Sequence, residues 1–265
     1  PAPRPRSSTS RRKTRIRIGQ VAVILLVIAV WALVHRLGLL SENVLPSVGA
    51  VAVEIVTVFV SPEFWASLGW TLGSALIALL IALAVGVPVG LLLGITPAVR
   101  RATQVIFDFG RSFPIIALMP LMALVLGTNQ VMEITLITIG LVWAIVTQAI
   151  DGSRRLDPVI ADTVRAYGIG RGLRFWKVVL PNAAPYLVTG LRIAATAALL
   201  IALAIELLAM LPGLGGQIAR AQQYQAPALA LAYVFYAGVV AMILNMLLWR
   251  AEAGLLAWSR RAVAR

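Results

Sequence analysis

The chain has 265 residues, 60% of them hydrophobic and only 12% charged, with a mean hydropathy of +0.93. These values exclude an ordinary soluble domain and point to a multi-span helical membrane protein, because backbone N–H and C=O groups in hydrocarbon need partners within their own segment. The absence of cysteine excludes disulfides, thiolate catalysis and thiolate-ligated metals, and the net charge of +13 leaves nucleic acid as a partner to be weighed.

The chain opens with a tail rich in Pro, Arg and Ser, residues 1–17, which cannot bury a core and is expected to be a disordered, basic, cytoplasmic segment. Ile18 to Leu37 is long enough to span, and no small-x-small cleavage site precedes His35-Arg36, so an uncleaved first span is expected rather than a signal peptide. His35, the single histidine, ends that run and reads as an interfacial residue. Leu45-Pro46-Ser47 then introduces an amphipathic piece, Val48 to Val60, interrupted by Glu54 and suited to an external surface helix. No charge occurs from Phe64 to Val99. One helix of that length would exceed about 50 Å at ~1.5 Å per residue, against a ~30 Å hydrocarbon core. Span two is therefore placed at 66–95, with Pro88 as a candidate bend. Gly86, Gly90 and Gly94 make a small-residue stripe for close helix packing.

Arg100-Arg101 marks a short inner turn before span three, 102–126, which carries Pro114 and Pro120. Gly127-Thr128-Asn129 turns the chain into span four, 131–150. Span five is placed at 184–209 and span six at 228–250, with residues 210–227, containing Pro212-Gly213-Leu214-Gly215-Gly216, as an outer loop or re-entrant segment. Trp258 and Arg260-Arg261 close the chain at the inner interface. The basic residues gather at Arg4 to Arg17, Arg100-Arg101, 154–177 and from Arg250 onward, beside the apolar runs. That distribution follows the positive-inside rule with both termini in the cytoplasm. It lacks the interleaved aromatics and continuous polar face of a nucleic-acid surface, so no nucleic-acid partner is expected.

Between spans four and five lies a polar island that a bilayer cannot hold. Asp151, Arg154, Arg155, Asp157, Asp162, Arg165, Arg171, Arg174 and Lys177 crowd it with charge, and a chain needing only to cross back would use a short turn. Its centre reads Asp162-Thr163-Val164-Arg165-Ala166-Tyr167-Gly168, followed by Val178, Leu180 and Pro181. Gly168 and Gly170-Arg171-Gly172 permit a sharp turn, Pro181 is expected to start a new segment, and Ala166 and Tyr167 offer apolar surface between Arg165 and Arg171.

An acidic residue, Gly six positions later, then Val-x-Leu-Pro resembles the signature loop of ABC importer permeases, which docks onto a separate ATPase. The family's Glu-Ala-Ala is here Asp162-Thr163-Val164; Asp keeps the charge with a shorter reach, and Val164 is bulkier where the loop meets the motor. The resemblance extends from Leu45 to Trp258. Leu45-Pro46-Ser47, Phe113-Pro114 with Met119-Pro120-Leu121, Gly190-Leu191-Arg192-Ile193-Ala194, and Glu206 before Gly213-Leu214-Gly215 are similar to the nitrate, sulfonate and taurine permease branch.

The resemblance implies an all-α membrane protein of about six transmembrane helices with the type I importer permease fold. It divides the chain into the tail 1–17, a permease domain 18–258 with a cytoplasmic coupling loop 151–183, and a tail 259–265. It further implies a second permease subunit (a copy or a related chain), two ABC ATPase subunits holding ATP and Mg, and an extracytoplasmic binding protein that delivers a small anion. Relatives of the branch also carry aromatic carboxylates and pyrimidine-type compounds, so those solutes remain open. No cofactor or metal is expected on this chain itself.

Ionisable residues inside spans are costly and are functional candidates. Asp108 and Arg111 sit three apart and can pair near the inner interface or gate an anion path. Arg192 can snorkel to the inner interface, and Glu206 can secure the Gly-rich segment that follows it by accepting backbone hydrogen bonds. If the path runs along spans three and five as in the family, Asp108, Arg111, Phe113, Met119, Arg192, Thr196 and Glu206 are its candidate residues. An intramembrane enzyme lacks its chemistry here: one histidine and scattered carboxylates supply neither a nucleophile with its base nor a metal set. There is no Gly-x4-Gly-Lys-Ser/Thr phosphate loop. An ion-coupled secondary transporter is the stronger rival, but it predicts inverted repeats or more charges within the spans and leaves the island unexplained.

Overall fold

A computed structural model describes residues 8–154, 156 and 158–255. The expectations resting on Arg155, Asp157, Trp258, Arg260, Arg261 and the 259–265 tail fall outside the described residues. Every element is helical: α1 (Ser8–Arg36), α2 (Val48–Val60), α3 (Pro62–Ile95), α4 (Pro97–Ser112), a 3-10 turn (Ile115–Leu118), α5 (Met119–Leu126), α6 (Gln130–Arg154), α7 (Pro158–Ala166), α8 (Arg171–Arg174), a π turn (Phe175–Val179), α9 (Leu180–Ala209), α10 (Leu214–Gln223) and α11 (Pro227–Leu255). Among the described residues, five helices are long and apolar enough to cross a membrane, and six if the bent pair α4–α5 counts as one.

Local chemistry sets the element ends. The Ser47 hydroxyl accepts from the Ala50 amide at 3.1 Å and caps α2. Ser61 closes α2 and opens α3 by accepting from the Phe64 amide at 3.3 Å, while Pro62 occupies a first-turn position where no N–H is needed. Gly127, at φ +77°, makes the turn expected there, and Asn129 Oδ1 accepts from the Met132 amide to cap α6.

Four expectations are corrected. First, α1 starts at Ser8, so the tail expected to be disordered is helical from that point; no proline interrupts the run between Ser8 and Arg36, and a nucleated helix propagates. Second, span three is not straight. Phe113 is extended (φ −75°, ψ 128°) because a residue before proline avoids the α region, and α4 meets the following helix at 84°. Third, residues 210–227 are not only loop: α10 forms a helix there and packs on α9, α11 and α3. Fourth, Pro181 does not start a separate segment. The Leu180 amide bonds to the Phe175 carbonyl, five residues back, and helix runs without a break from Arg171 through Ala209.

The centre of the bundle is α6, packed between α3 and α9. Met132, Leu136, Ile137, Leu141 and Ile145 of α6 meet Ala75, Ala78, Leu79 and Ala82 of α3 and Ala194, Ala195, Ala198 and Ala202 of α9. In lipid, apolar burial drives little, so association depends on close van der Waals fit. The glycine stripe supplies it: Gly86, Gly90 and Gly94 face Ile145, Ala149 with the Val146 carbonyl, and Ser153. Gly152 and Gly190 do the same between α6 and α9, against Ala183 with Tyr186 and against Gln148. By contrast, α1 stands apart. No residue between Ile18 and Arg36 is buried, and it is held by hydrogen bonds from Trp31 Nε1 to the Pro46 carbonyl (2.9 Å) and between His35 Nδ1 and the Leu45 carbonyl (3.0 Å).

Gly90→Ala tests this packing. Its Cβ would lie 2.5 Å from Ala149 Cβ and 2.6 Å from the Val146 carbonyl oxygen. Thermal unfolding in detergent should show a loss of about 1–3 kcal/mol, the usual cost of overpacking. Gly73→Ala, which meets nothing within 4 Å, should leave the midpoint unchanged.

Candidate functional site

The polar island folds as α7, a turn, α8 and the π turn, and most of it is exposed. The turn is a Schellman motif. Gly168 sits at φ +59°, its amide bonds to the Arg165 carbonyl at 3.1 Å, and the Ile169 amide reaches back to the Val164 carbonyl at 3.1 Å. Such a helix end places the residue after the glycine against the side chain five positions earlier, here Ile169 against Val164. Val164 is accordingly buried, at 5% exposure. The expectation that Val164 faces a motor is thus corrected: it packs on its own chain because the helix end turns it inward.

What the segment offers outward is different. Tyr167 at the tip is 81% exposed, followed by Leu173 and Trp176 at 57% and 66%. Asp162, Thr163, Arg165, Ala166, Gly168 and Pro181 are exposed as well, Val178 and Leu180 are half-buried, and Asp162 pairs with Arg165. Of the three glycines expected to permit the turn, only Gly168 has the left-handed backbone. Gly170 is extended at φ −61°, ψ 151°, and Gly172 lies within α8. A groove of about 600 Å³ runs between the α3–α4 junction (Ile95 to Val99) and Arg171, Arg174, Phe175 and Val179. It sets the island beside the start of α4, and the turn expected at Arg100-Arg101 is corrected: both residues lie within that helix, and the chain turns at Thr96 before Pro97.

A second set of candidates lies along one face of α4, α6 and α9. Phe113 shares an apolar recess with Phe109, Ile115 and Trp143. Trp143 also borders a recess with Arg111, Thr147, Gln148, Asp151 and Ile193. Ile193 in turn borders a groove of about 510 Å³ holding Arg192, Thr196, Thr189 and Asn245. The three recesses are neighbours that share Trp143 and Ile193 as lining residues, so Phe113, Arg111, Arg192 and Thr196 border adjacent recesses. Asp108 and Arg111 form the expected local ion pair at 3.0 Å, both about half exposed.

Three expectations for this set do not match the geometry. Met119 is half-buried against the α3–α6–α9 core. Arg192 does not rely on snorkelling, because it pairs with Glu252 of α11 at 2.9 Å, and Thr189 bonds the same carboxylate at 3.2 Å. Glu206, placed among the path residues, has no exposed surface and lines nothing. It accepts from the Gly215 amide at 2.9 Å and from the Thr71 hydroxyl at 3.0 Å, because a carboxylate at the end of α9 is the acceptor that the amides opening α10 require. That bond does tie the Gly-rich segment down.

Sequence reasoning missed Glu252 and Glu133. Glu133 is fully buried and accepts from Trp70 Nε1 and Ser74. The signal was present, since Glu133 is the single charged residue between Arg111 and Asp151.

A helical bundle with an exposed, glycine-turned polar island and adjacent recesses between its helices defines a membrane transport subunit. Residues 86–253 match the family described as binding-protein-dependent transport system inner membrane component. The chain belongs to that family and is the permease subunit of an ABC importer. It is 29% identical to the taurine transport system permease protein TauC of Escherichia coli K12 over 93% of this chain and 90% of that protein. It is 30% identical to the putative aliphatic sulfonates transport permease protein SsuC of the same strain, over 87% of this chain and 88% of the other. A structure of the MetNI methionine ABC transporter in an inward-facing conformation shares the fold, with a TM-score of 0.64, 20% identity, and coverage of 74% of this chain and 98% of that one.

The two faces of the island separate experimentally. Val164→Asp buries an unpaired charge and should lower the thermal stability by several kcal/mol. Tyr167→Ala, at an exposed tip, should change it by no more than about 0.5 kcal/mol. Thermal unfolding of the two purified variants checks both.

Proposed function

We propose that this permease forms half of a translocation path with a second permease subunit, a copy or a related chain, and carries a small sulfonate or oxyanion. An extracytoplasmic binding protein delivers the solute. Two ATPase subunits, which hold ATP and Mg, drive the cycle through the 160–181 segment. Both termini face the cytoplasm in this arrangement, as the basic clusters require of the positive-inside rule.

The observation that carries the coupling role is the unbroken helix from Arg171 to Ala209. A displacement of the exposed tip at Tyr167 is passed to α8 and then along a single rod. From Arg174 to Arg192 that rod covers about 27 Å at ~1.5 Å per residue. Force applied in water thereby reaches the Arg192–Thr196 groove without an intervening flexible joint. ATP-driven closure of the motors draws the two island segments together and turns the path outward.

The solute class is supported by the named relatives, which include taurine and aliphatic sulfonate permeases and, at 31% identity over 56% of this chain, a bicarbonate transport system permease of Synechocystis. The groove chemistry agrees. Arg192 and Asn245 offer donors to an anion, while Glu252 already neutralises part of the Arg192 charge and takes the Thr189 hydroxyl, and the Thr196 hydroxyl bonds the Arg192 carbonyl. An anion therefore meets attraction weak enough for it to leave again. Uptake by proteoliposomes holding the assembled transporter and its binding protein, with taurine, alkanesulfonates, nitrate, bicarbonate, an aromatic carboxylate and a pyrimidine precursor in competition, should favour the sulfonates or oxyanions. Uptake driven by an ion gradient, with no ATPase attached, overturns the whole reading.

Gly168→Val forces a β-branched residue into the left-handed region at a cost of about 1–2 kcal/mol. It should distort the tip without unfolding the bundle. ATP hydrolysis should continue while solute uptake falls, roughly tenfold for each ~1.4 kcal/mol lost at the docking contact. Parallel measurement of ATPase and uptake rates in proteoliposomes checks this.

A further inference from the structure

Two carboxylates, Glu133 and Glu206, are entirely buried in the bundle, at 0% exposure each. Glu133 lies in the first turn of α6 and Glu206 in the last turn of α9. Their hydrogen bonding is lopsided in the same way. Glu133 Oε2 accepts from Trp70 Nε1 at 2.9 Å and from Ser74 Oγ at 3.1 Å. Glu206 Oε2 accepts from Thr71 Oγ1 at 3.0 Å and from the Gly215 amide at 2.9 Å. All four donors go to Oε2, and both Oε1 atoms are buried with no donor from any neighbour. The two carboxyl groups lie near each other, because their donors Trp70, Thr71 and Ser74 share about one turn of α3.

No cation among the described residues pairs with either group; the ion pairs there are Asp108–Arg111, Asp162–Arg165 and Arg192–Glu252. The side chains facing the pair are neutral: Trp70, Thr71 and Ser74 from α3, with Gln130 from α6 donating to Ser74. From α10 the backbone amides of Leu214 and Gly215 approach, the first donating to Thr71. Two anions anchored on the same turn of α3, out of water and without a counter-charge, repel strongly. Each also leaves an acceptor unsatisfied. A single hydrogen cures both faults, since a protonated carboxyl gains an O–H donor that its ionised neighbour can accept.

We propose that Glu133 and Glu206 bind one proton between their Oε1 atoms, forming a proton site that latches α6 to α9 while their Oε2 atoms hold α3 and α10. The bound proton is a structural ligand of the permease, and the latch keeps the α9–α10 corner closed on the bundle. Neither carboxylate lines the recesses of Phe113, Arg111, Arg192 and Thr196, so the site is separate from them.

Glutamine discriminates the shared proton from other arrangements, because its amide oxygen keeps the Oε2 contacts and its NH₂ replaces the shared hydrogen. Glu133→Gln and Glu206→Gln, each alone, should fold with an unchanged thermal midpoint. The double variant sets two NH₂ groups face to face and should lose midpoint. Infrared difference spectra of the purified permease complex at neutral pH should show a buried protonated carboxyl band in the natural protein, lost in both single variants. A band that survives in one single variant assigns the proton to one residue and overturns the sharing. No band in the natural protein, with stability that depends on sodium, assigns a metal cation instead and overturns the proposal. Failure of either single variant to fold, or a double variant as stable as the singles, also overturns it.

Discussion

The close approach of α6 to both α3 and α9 governs everything else in this bundle. In hydrocarbon there is little hydrophobic reward for bringing helices together, so contact must come from backbones near enough for dispersion forces to add up. Gly86, Gly90 and Gly94 open one side of α6 to that approach, and Gly152 with Gly190 opens the other. Around these contacts α9 is held firmly enough to act as a rod and α10 can fold back over its end. The α4–α5 bend then lies against an α6 surface that keeps its shape.

Because α9 is fixed to α6 and continuous with α8, the polar island is mechanically part of a span rather than a loop tethered between two of them. Its inner side is packed through Val164 and Ile169, and its outer side presents Tyr167, Leu173 and Trp176. A rigid element with an apolar tip in a charged surround suits a contact that must both grip and push. The same rod carries Arg192 and Thr196 on its groove side, so these residues and the exposed Leu173 and Trp176 belong to one continuous helix.

The buried carboxylates show a different use of polarity. Arg192 and Glu252 settle their charges against each other at a partly exposed position, whereas Glu133 and Glu206 pair with no cation among the described residues. Placing an acceptor at the end of α9 satisfies the Gly215 amide where α10 begins. The requirement is local to the α9–α10 corner, where Met210 takes the left-handed conformation at φ 53° and the chain reverses.

Much of this was legible in the residues alone, for identifiable reasons. Long uncharged runs can only be spans, charge cannot remain in hydrocarbon, and a glycine after an acidic, apolar helix end marks a turn; hence the all-helical class, the span order, the exposed island and the role of Gly168. Tertiary structure decided what depends on direction and partnership. The orientation of Val164 was set by the fold of the helix end around Gly168, and the continuity across Pro181 by a π turn that hydropathy does not register. The bend at Phe113-Pro114 was set by a backbone preference that composition averages away. Above all, the pairing of Arg192 with Glu252, and the anchoring of Glu133 and Glu206 on the same turn of α3, bring together residues 60 and 73 positions apart. A one-dimensional pattern reports that a charge is buried in a span, but only the packed helices determine which charge lies beside it.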